Sequence, residues 1–222
     1  YRWVEPWGAP LRAMHWVAAL AILVLIVTGF YIGRPYFMTT GAPPQYLMGY
    51  IRLIHYVAAG VFVMTGLVRV YWLFAGNQFE RLPALFPVRK RDWVNLVTQV
   101  KYYLMIHPER APHYIGHNPL QQLSYTTTYV VSIVVMFTGF AMYGQAAPGG
   151  FFYTITQPLT LAVGGIQVVR LVHHLCVWWF IIFPIMHIYL VIRKEVTERG
   201  GGLSGIVNGG HYIRADKQYV DE

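Results

Sequence analysis

The sequence predicts an all-α membrane protein in which four transmembrane helices form a bundle. Three observations lead to this fold class. The 222 residues are 56% hydrophobic and only 12% charged, which is far from the composition of a soluble domain. Four stretches are apolar over about 20 residues, the length that crosses a bilayer. Aromatic residues, which favour membrane interfaces, make up 16% of the chain.

The four predicted spans cover residues 13–33, 52–75, 121–143 and 168–192. The first span is too long for the core of a cleavable signal, so we expect a retained anchor. A further apolar patch at 151–163 contains Pro158 and polar residues and is too short to cross a bilayer. We therefore expect one integral-membrane domain over residues 1–222.

Lysine and arginine set the expected orientation, because basic loops remain on the cytoplasmic side. They concentrate in the N-terminus, the loop 76–120 and the tail 193–222, and are sparse in the loops 34–51 and 144–167. The basic residues of the predicted cytoplasmic segments are Arg2, Arg12, Arg81, Arg89, Lys90, Arg91, Lys101, Arg110, Arg193, Lys194, Arg199, Arg214 and Lys217. The chain is thus predicted to lie in the cytoplasmic (inner) membrane with both termini in the cytoplasm.

The loop 76–120 contains apolar residues that recur on one helical face. They are Trp93, Leu96, Val97, Val100 and Leu104. The pattern predicts an amphipathic helix on the cytoplasmic surface of the membrane. A small soluble helix that packs on the bundle explains the pattern equally well.

Several functional classes are excluded by composition. The net charge of +8 does not indicate nucleic-acid binding, because the basic residues lie between apolar spans and not on one soluble module. A single cysteine, Cys176, cannot form an internal disulfide, a Cys-x-x-Cys-His haem attachment or a cysteine-ligated iron–sulfur cluster. The glycines at 200–202 and 209–210 lack the Lys-Ser/Thr of a phosphate loop.

Histidines recur near the ends of the spans. Three of them follow an arginine by three residues, in Arg12-Ala-Met-His15, Arg52-Leu-Ile-His55 and Arg170-Leu-Val-His173. A fourth, His187, follows His173 within the same span. On a helix the spacing from His173 to His187 is close to four turns and a rise of about 21 Å. His173 and His187 therefore share a face near opposite sides of the membrane, whereas His174 falls on nearly the opposite face.

The predicted topology places four histidines at two depths. His15 and His187 lie near the cytoplasmic side, and His55 and His173 lie near the outer side. Two imidazoles that face each other between helices can ligate one haem iron axially. The two pairs therefore predict two haems b that carry electrons. A single histidine in a membrane span is about as often a hydrogen-bonded polar residue between helices as a metal ligand. Four histidines at matched depths and on matched faces argue against that interpretation here.

The arginines have separate interpretations. Arg52 and Arg170 lie on the outer side, where few basic residues are expected, and propionates of the outer haem explain both. Arg69 follows His55 at the spacing that separates His187 from His173. It therefore lies at the depth of the inner haem and is the candidate for its propionate. Arg12 is on the positive side, where a flanking charge is a sufficient explanation.

Small residues also repeat. Gly29 follows His15 at the same spacing of about four helical turns. This places it at the depth of the outer haem, where a side chain would collide with a porphyrin. Thr28-Gly29 is repeated as Thr65-Gly66 and Thr138-Gly139. For Gly66 and Gly139 we favour ordinary packing of small residues between helices.

Two signatures resemble a known family. The first is Arg12-Ala-Met-His15-Trp16 followed by Leu25-Ile-Val-Thr28-Gly29, and the second is Arg170-Leu-Val-His173-His174-Leu175 with Trp178 and His187. With the stretches 49–55, 69–72 and 115–119, they resemble the b-type cytochrome subunit of membrane-bound nickel–iron hydrogenases. The resemblance covers nearly the whole chain and departs at Leu171, where the family usually has a small residue.

The resemblance implies a four-helix diheme cytochrome b whose axial ligands carry over to His15, His55, His173 and His187. It implies an anchor for a hydrogenase, with its iron–sulfur small subunit and its Ni-Fe large subunit on the outer face. Electrons would pass from the small subunit through the outer haem and the inner haem to quinone. The chain would be the quinone-reactive subunit of a respiratory hydrogen:quinone oxidoreductase, without acting on hydrogen itself.

Quinone reduction needs proton donors beside the last haem. His113, His117 and Asn118 lie just before the third span on the predicted cytoplasmic side and are the candidates. Asn118-Pro119 has a structural interpretation as well, because proline favours the first turn of a helix. The two interpretations are compatible.

The partner rests on the resemblance alone, so alternatives stay open. The nearest is the similar cytochrome b subunit of a formate dehydrogenase or a thiosulfate-type reductase. A histidine-lined transporter or a plain membrane anchor belongs to another class. The four spans contain no Asp or Glu, which cation relays usually employ.

Replacing His173 with alanine is expected to remove the outer haem, whereas His174→Ala should retain both haems, because only His173 shares the face of His187. Reduced-minus-oxidised spectra of the purified variants, with haem counted per chain, measure the difference. Loss of haem in the His174 variant alone would contradict the assignment by helix face.

Overall fold

The computed structural model describes residues 1–37, 46–87, 90–104, 106, 112–198 and 202–222. Arg89, Arg110, Arg199 and the glycines at 200–201, which entered the sequence analysis, lie outside the described residues. In chain order the elements are β1 (Arg2–Val4), α1 (Ala9–Gly33), α2 (Leu47–Ala75), α3 (Leu82–Leu85), α4 (Lys90–Tyr103), α5 (Pro119–Gly144), α6 (Phe151–Ala162), α7 (Ile166–Glu198), α8 (Gly202–Asn208) and β2 (His211–Ile213).

Among the described residues, four helices are long and apolar enough to cross a membrane. They are α1, α2, α5 and α7, and each contains one of the predicted spans. The helices extend past the apolar stretches at several ends. For example, α2 begins at Leu47 and α7 continues to Glu198. A helix satisfies its own backbone hydrogen bonds, so it can continue beyond the apolar layer.

One compact unit, Ala9–Trp72, consists of α1 and most of α2. Large apolar side chains on α1, such as Leu20, Leu23 and Val27, are exposed. Lipid is the solvent in which such a surface is stable, and this agrees with the high apolar content of both helices.

The other compact unit consists of Tyr1–Gly8 and Leu73–Glu222. Its central helix is α5, which packs against α3, α4, α6 and α7. The start of α5 is fixed by a capping box in which the Asn118 side chain accepts from the Gln121 amide and the Gln121 side chain accepts from the Asn118 amide. Pro119 occupies the first turn. The structural interpretation of Asn118-Pro119 is thus confirmed.

The apolar patch at 151–163 forms the 12-residue helix α6, which is too short to span. It lies on α5 through Phe152, whose ring stacks on Phe140 with centroids 4.9 Å apart. The chain then turns into α7 at Gly164 and Gly165, which have φ values of 103° and 93°. Only glycine adopts such angles without strain, so this pair sets where α7 begins.

The predicted amphipathic helix is present as α4, and its apolar face points outward. Trp93 is 52% exposed and Val97 56% exposed, whereas Asp92 and Gln99, which lie off the apolar face, are each 5% exposed. Its C-terminal end is fixed to α7 by Arg193, whose guanidinium lies over the rings of Tyr102 and Tyr103 and donates to their carbonyl oxygens. The helix therefore packs on the protein through its polar side.

The chain termini form a short antiparallel ribbon that sequence analysis did not predict. The strands β1 and β2 pair Arg2 with Ile213 and Val4 with His211. With three residues each, these strands are too short to show a clear alternation of polar and apolar residues. The last residues bind back as well, since the Asp221 carboxylate accepts from the amides of Ile115 and Gly116 at 2.7 Å.

The ribbon is expected to loosen in acid. Burial, and then the charge of Lys194, lower the pKa of His211 from 6.5 to about 4, against a smaller opposite effect of Glu195. The folded ribbon thus favours the neutral ring, and the stability that this contributes is present above pH 6.5 and lost as the pH falls toward 4. The protection factors of the amides in β1 and β2, which correct for the intrinsic slowing of exchange in acid, should fall several-fold across this window, and His211→Gln should remove that dependence. An unchanged pH profile in the glutamine variant would contradict the assignment to His211.

Candidate metal centre

His55 on α2 is held by Thr28 on α1. The Thr28 hydroxyl oxygen lies 2.7 Å from the Val24 carbonyl oxygen in its own helix and 2.8 Å from His55 Nδ1. A hydroxyl has one proton, and the carbonyl can only accept, so the oxygen must accept from Nδ1–H. This contact fixes the neutral tautomer and places the ring lone pair on Nε2.

His173 on α7 is held in the same way by Thr138 on α5. The Thr138 hydroxyl lies 2.8 Å from the Val134 carbonyl oxygen and 3.0 Å from His173 Nδ1. The same reasoning places the proton of His173 on Nδ1 and its lone pair on Nε2. Each compact unit therefore presents one imidazole in a defined tautomer.

A glycine follows each threonine and packs against the same imidazole. A Cβ atom at Gly29 would lie 3.4 Å from His55 Cε1, and one at Gly139 would lie 3.4 Å from His173 Cε1. Gly29 thus packs against a histidine ring. Its place beside a porphyrin stays a prediction. Gly139, for which ordinary helix packing was expected, has the same relation to His173.

Thr28 and Thr138 were not predicted as contributors to the site. A signal was present, because the chain reads Thr-Gly-Phe at 28–30 and at 138–140, in each case before an Arg-x-x-His motif on the next long helix. The third Thr-Gly pair is followed by Leu67 and lacks the phenylalanine.

The structure distinguishes the two adjacent histidines of α7. His173 is half-buried and contacts Thr138, whereas His174 is exposed. The role of His173 as a haem ligand, with His174 as a polar neighbour, stays a prediction.

His187 lies further along α7 in a ladder of rings. The ring of Trp179 stacks on Phe183 at 5.8 Å, and Phe183 stacks on His187 at 5.7 Å. Pro184 lies inside the helix, between Phe183 and His187 in the sequence. Beside His187 is a cavity of about 60 Å³. Its walls are Tyr103, Leu120, Gln121, Ser124, Tyr125, Phe183, Met186, His187, Leu190 and Val191.

His15 and the four arginines that were considered as propionate partners lie on the long helices. His15 is half-buried and meets the edge of the Trp16 ring at 5.1 Å. Arg12 and Arg69 are half-buried, and Arg52 and Arg170 are exposed. The guanidinium groups of the last two are accessible to an anion.

The three candidates for a quinone site have different surroundings. The buried His117 ring lies 4.6 Å from Trp7 and 4.8 Å from Tyr125, by ring centroids. Asn118 caps α5 and donates to the Tyr103 hydroxyl at 3.3 Å. Tyr103 and Tyr125 both line the cavity beside His187. His113 instead bonds through its carbonyl to Val220 of the tail.

The donor set fits axial ligation of haem iron. A metal-bound histidine normally donates its second ring N–H to a neighbouring oxygen, which orients the ring and leaves the other nitrogen for the metal. His55 and His173 show this arrangement with threonine as the acceptor. The pairing of His55 with His173, and of His15 with His187, joins the two compact units and stays a prediction.

Comparisons with known proteins agree with this chemistry. The family model described as prokaryotic cytochrome b561 matches residues 6–209. A protein of Azotobacter vinelandii called "Probable Ni/Fe-hydrogenase B-type cytochrome subunit" is 42% identical over 222 residues, which cover 96% of this chain and 90% of the relative. The "Probable Ni/Fe-hydrogenase 1 B-type cytochrome subunit" of Escherichia coli (strain K12) is 34% identical over 210 residues, covering 90% and 87%.

Gly139→Val is expected to displace the His173 ring and lower the haem content, because a branched side chain would overpack the contact at a cost of about 1–3 kcal/mol. Gly139→Ala is the matched control, since its Cβ would lie at an ordinary contact distance of 3.4 Å. Haem per chain and the midpoint of thermal unfolding are the measurements. Wild-type haem content in the valine variant would show that the glycine is not required.

Proposed function

The chain belongs to the prokaryotic cytochrome b561 family, and we propose that it passes electrons from a hydrogenase through two haems b to membrane quinone. It is a multi-pass membrane protein of the b-type cytochromes. The observation that carries the proposal is the matching arrangement of His55 and His173, each with a threonine at Nδ1 and a glycine against the ring. Haem supplies the one-electron chemistry, and the protein supplies ligands and local charge.

The axial ligands are proposed to be His55 with His173 for one haem and His15 with His187 for the other. Support for the second pair comes from α7, where His187 follows His173 by about four helical turns and so lies on the same face. For the first pair, the neutral imidazoles of His55 and His173 add no positive charge to the site, and a buried charge would be costly at low dielectric.

The arginines are proposed to bind haem propionates. Arg52 and Arg170 each lie one turn before a ligand of the outer haem, and both are exposed at the helix ends. Arg69, and with less support Arg12, would serve the inner haem. A propionate is the anion that this cofactor brings, and a guanidinium binds a carboxylate through charge-assisted, often bidentate hydrogen bonds.

Quinone is proposed to react beside His187. Tyr103, Gln121 and Ser124 line the cavity there and offer hydrogen-bonding groups to a quinone carbonyl oxygen at this position. His117 and Asn118 border it through Tyr125 and Tyr103, so they are placed to relay protons. His113, which was predicted with them, has weaker support, because it contacts the tail.

The orientation is proposed from charge and from α4. The basic segments place both termini and the loop 76–120 in the cytoplasm. The exposed apolar face of α4 supports the interpretation of a helix on the membrane surface, because such a face is stable against lipid and unstable against water. The inner membrane is the location that this orientation implies.

The hydrogenase partner is proposed from the relatives, whose names specify Ni/Fe-hydrogenase. Its iron–sulfur small subunit would deliver electrons to the outer haem, while the Ni-Fe large subunit would act on hydrogen. The present chain would then be the quinone-reactive subunit.

Hydrogen is expected to reduce the haems of the native complex, and added quinone should reoxidise them. Dithionite-reduced protein should show b-type absorption bands that correspond to roughly two haems per chain. Optical spectra of the purified complex under hydrogen measure both quantities.

Each negative result of this experiment would exclude a different part of the proposed function. Absence of b-type bands would rule out the electron carrier and favour a transporter or a plain anchor. Haems that respond to dithionite but not to hydrogen would rule out the hydrogenase partner. Formate would then be the next donor to test.

A further inference from the structure

We propose that Thr28 and Thr138 are positioning residues that set the tautomer and the basicity of the two outer-haem ligands. The proposal rests on the proposed function, since it takes His55 and His173 to be those ligands. It adds two residues that do not touch iron but decide how each imidazole faces it.

The geometry of Thr28 allows one assignment of protons. Its hydroxyl donates to the Val24 carbonyl at 2.7 Å, with a longer contact of 3.3 Å to the Leu25 carbonyl. Both of these partners are acceptors, so the single hydroxyl proton is committed to the helix backbone. The 2.8 Å contact to His55 Nδ1 must therefore be donated by the ring.

Thr138 repeats this geometry in the other compact unit. Its hydroxyl lies 2.8 Å from the Val134 carbonyl oxygen and 3.0 Å from the Val135 carbonyl oxygen. The ring of His173 again donates through Nδ1, at 3.0 Å. The same geometry occurs independently in two helix pairs. This argues that the histidine ligand requires the threonine and that the contact is not an accident of local packing.

The hydrogen bond has an electronic consequence. A ring that donates through Nδ1 is a more basic ligand at Nε2, and a more basic ligand favours the ferric state. Loss of the acceptor should therefore raise the midpoint potential of the outer haem. Loss of such an outer-shell partner typically weakens metal binding by about 10- to 100-fold, so occupancy of the outer haem should fall as well.

The test uses the native complex with Thr28→Val and Thr138→Val, which keep the shape of the side chain and remove the oxygen. Thr28→Ser and Thr138→Ser restore it. Thr65→Val and Thr127→Val are matched controls, because each of these threonines makes the same hydrogen bond to its own helix, to Val61 and Leu123 respectively. His173→Ala identifies the spectral signals of the outer haem.

Potentiometric titration, the low-spin ferric EPR signals and haem per chain are measured for every variant. The valine variants should raise the potential of the outer haem and shift its EPR signal, or lose that haem, while the inner haem stays unchanged. The serine variants and both controls should match the wild type. Wild-type potentials and signals in both valine variants would overturn the proposal.

Two further outcomes are informative. If a valine variant loses both haems, the serine variant decides: retention by serine supports a need for the hydroxyl, and loss in serine too overturns it. If His173→Ala keeps both haems unchanged, the axial assignment fails, and with it the proposed function of this histidine. That result is distinct from a failure of the threonines alone.

Discussion

A polar group inside a bilayer must find its hydrogen-bond partner within the protein, and this constraint shapes the contacts between the long helices in each compact unit. The hydroxyls of Thr28, Thr128 and Thr138 each donate to the carbonyl four residues earlier. Each oxygen is then left as an acceptor on the helix surface. Two of them accept from histidine, and Thr128 accepts from the Trp179 indole at 3.2 Å.

The same arrangement therefore holds two histidine rings and one tryptophan ring against neighbouring helices. A back-bonded threonine is short, stiff at χ1 and already satisfied as a donor. It can hold a ring N–H without bringing a charge into the membrane. The following glycine lets the partner helix approach, as Gly29 and Gly139 do for the rings of His55 and His173. The two helix pairs thus hold a histidine ring with the same local sequence, Thr-Gly.

Hydropathy and helical periodicity were sufficient to predict the long helices and the candidate histidines. Both predictions use patterns that lie within a single helix. For example, the spacing of His173 and His187 along one helix is enough to place them on the same face. Contacts between helices were harder, because Gly139 meets His173 only at a particular helix crossing that periodicity does not specify. The ribbon of Val4 and His211 was not predicted, since it joins the two ends of the chain across a long sequence separation.

The loop 76–120 was predicted as an amphipathic surface helix with a soluble alternative, and its structure links it to the site itself. Arg193 and Asn118 fix the C-terminal end of α4 by bonding Tyr102 and Tyr103. Tyr103 then forms a wall of the cavity beside His187. The same helix turns its apolar face outward, where lipid would cover it. Tyr103, the last residue of α4, thus joins this helix to the cavity beside His187.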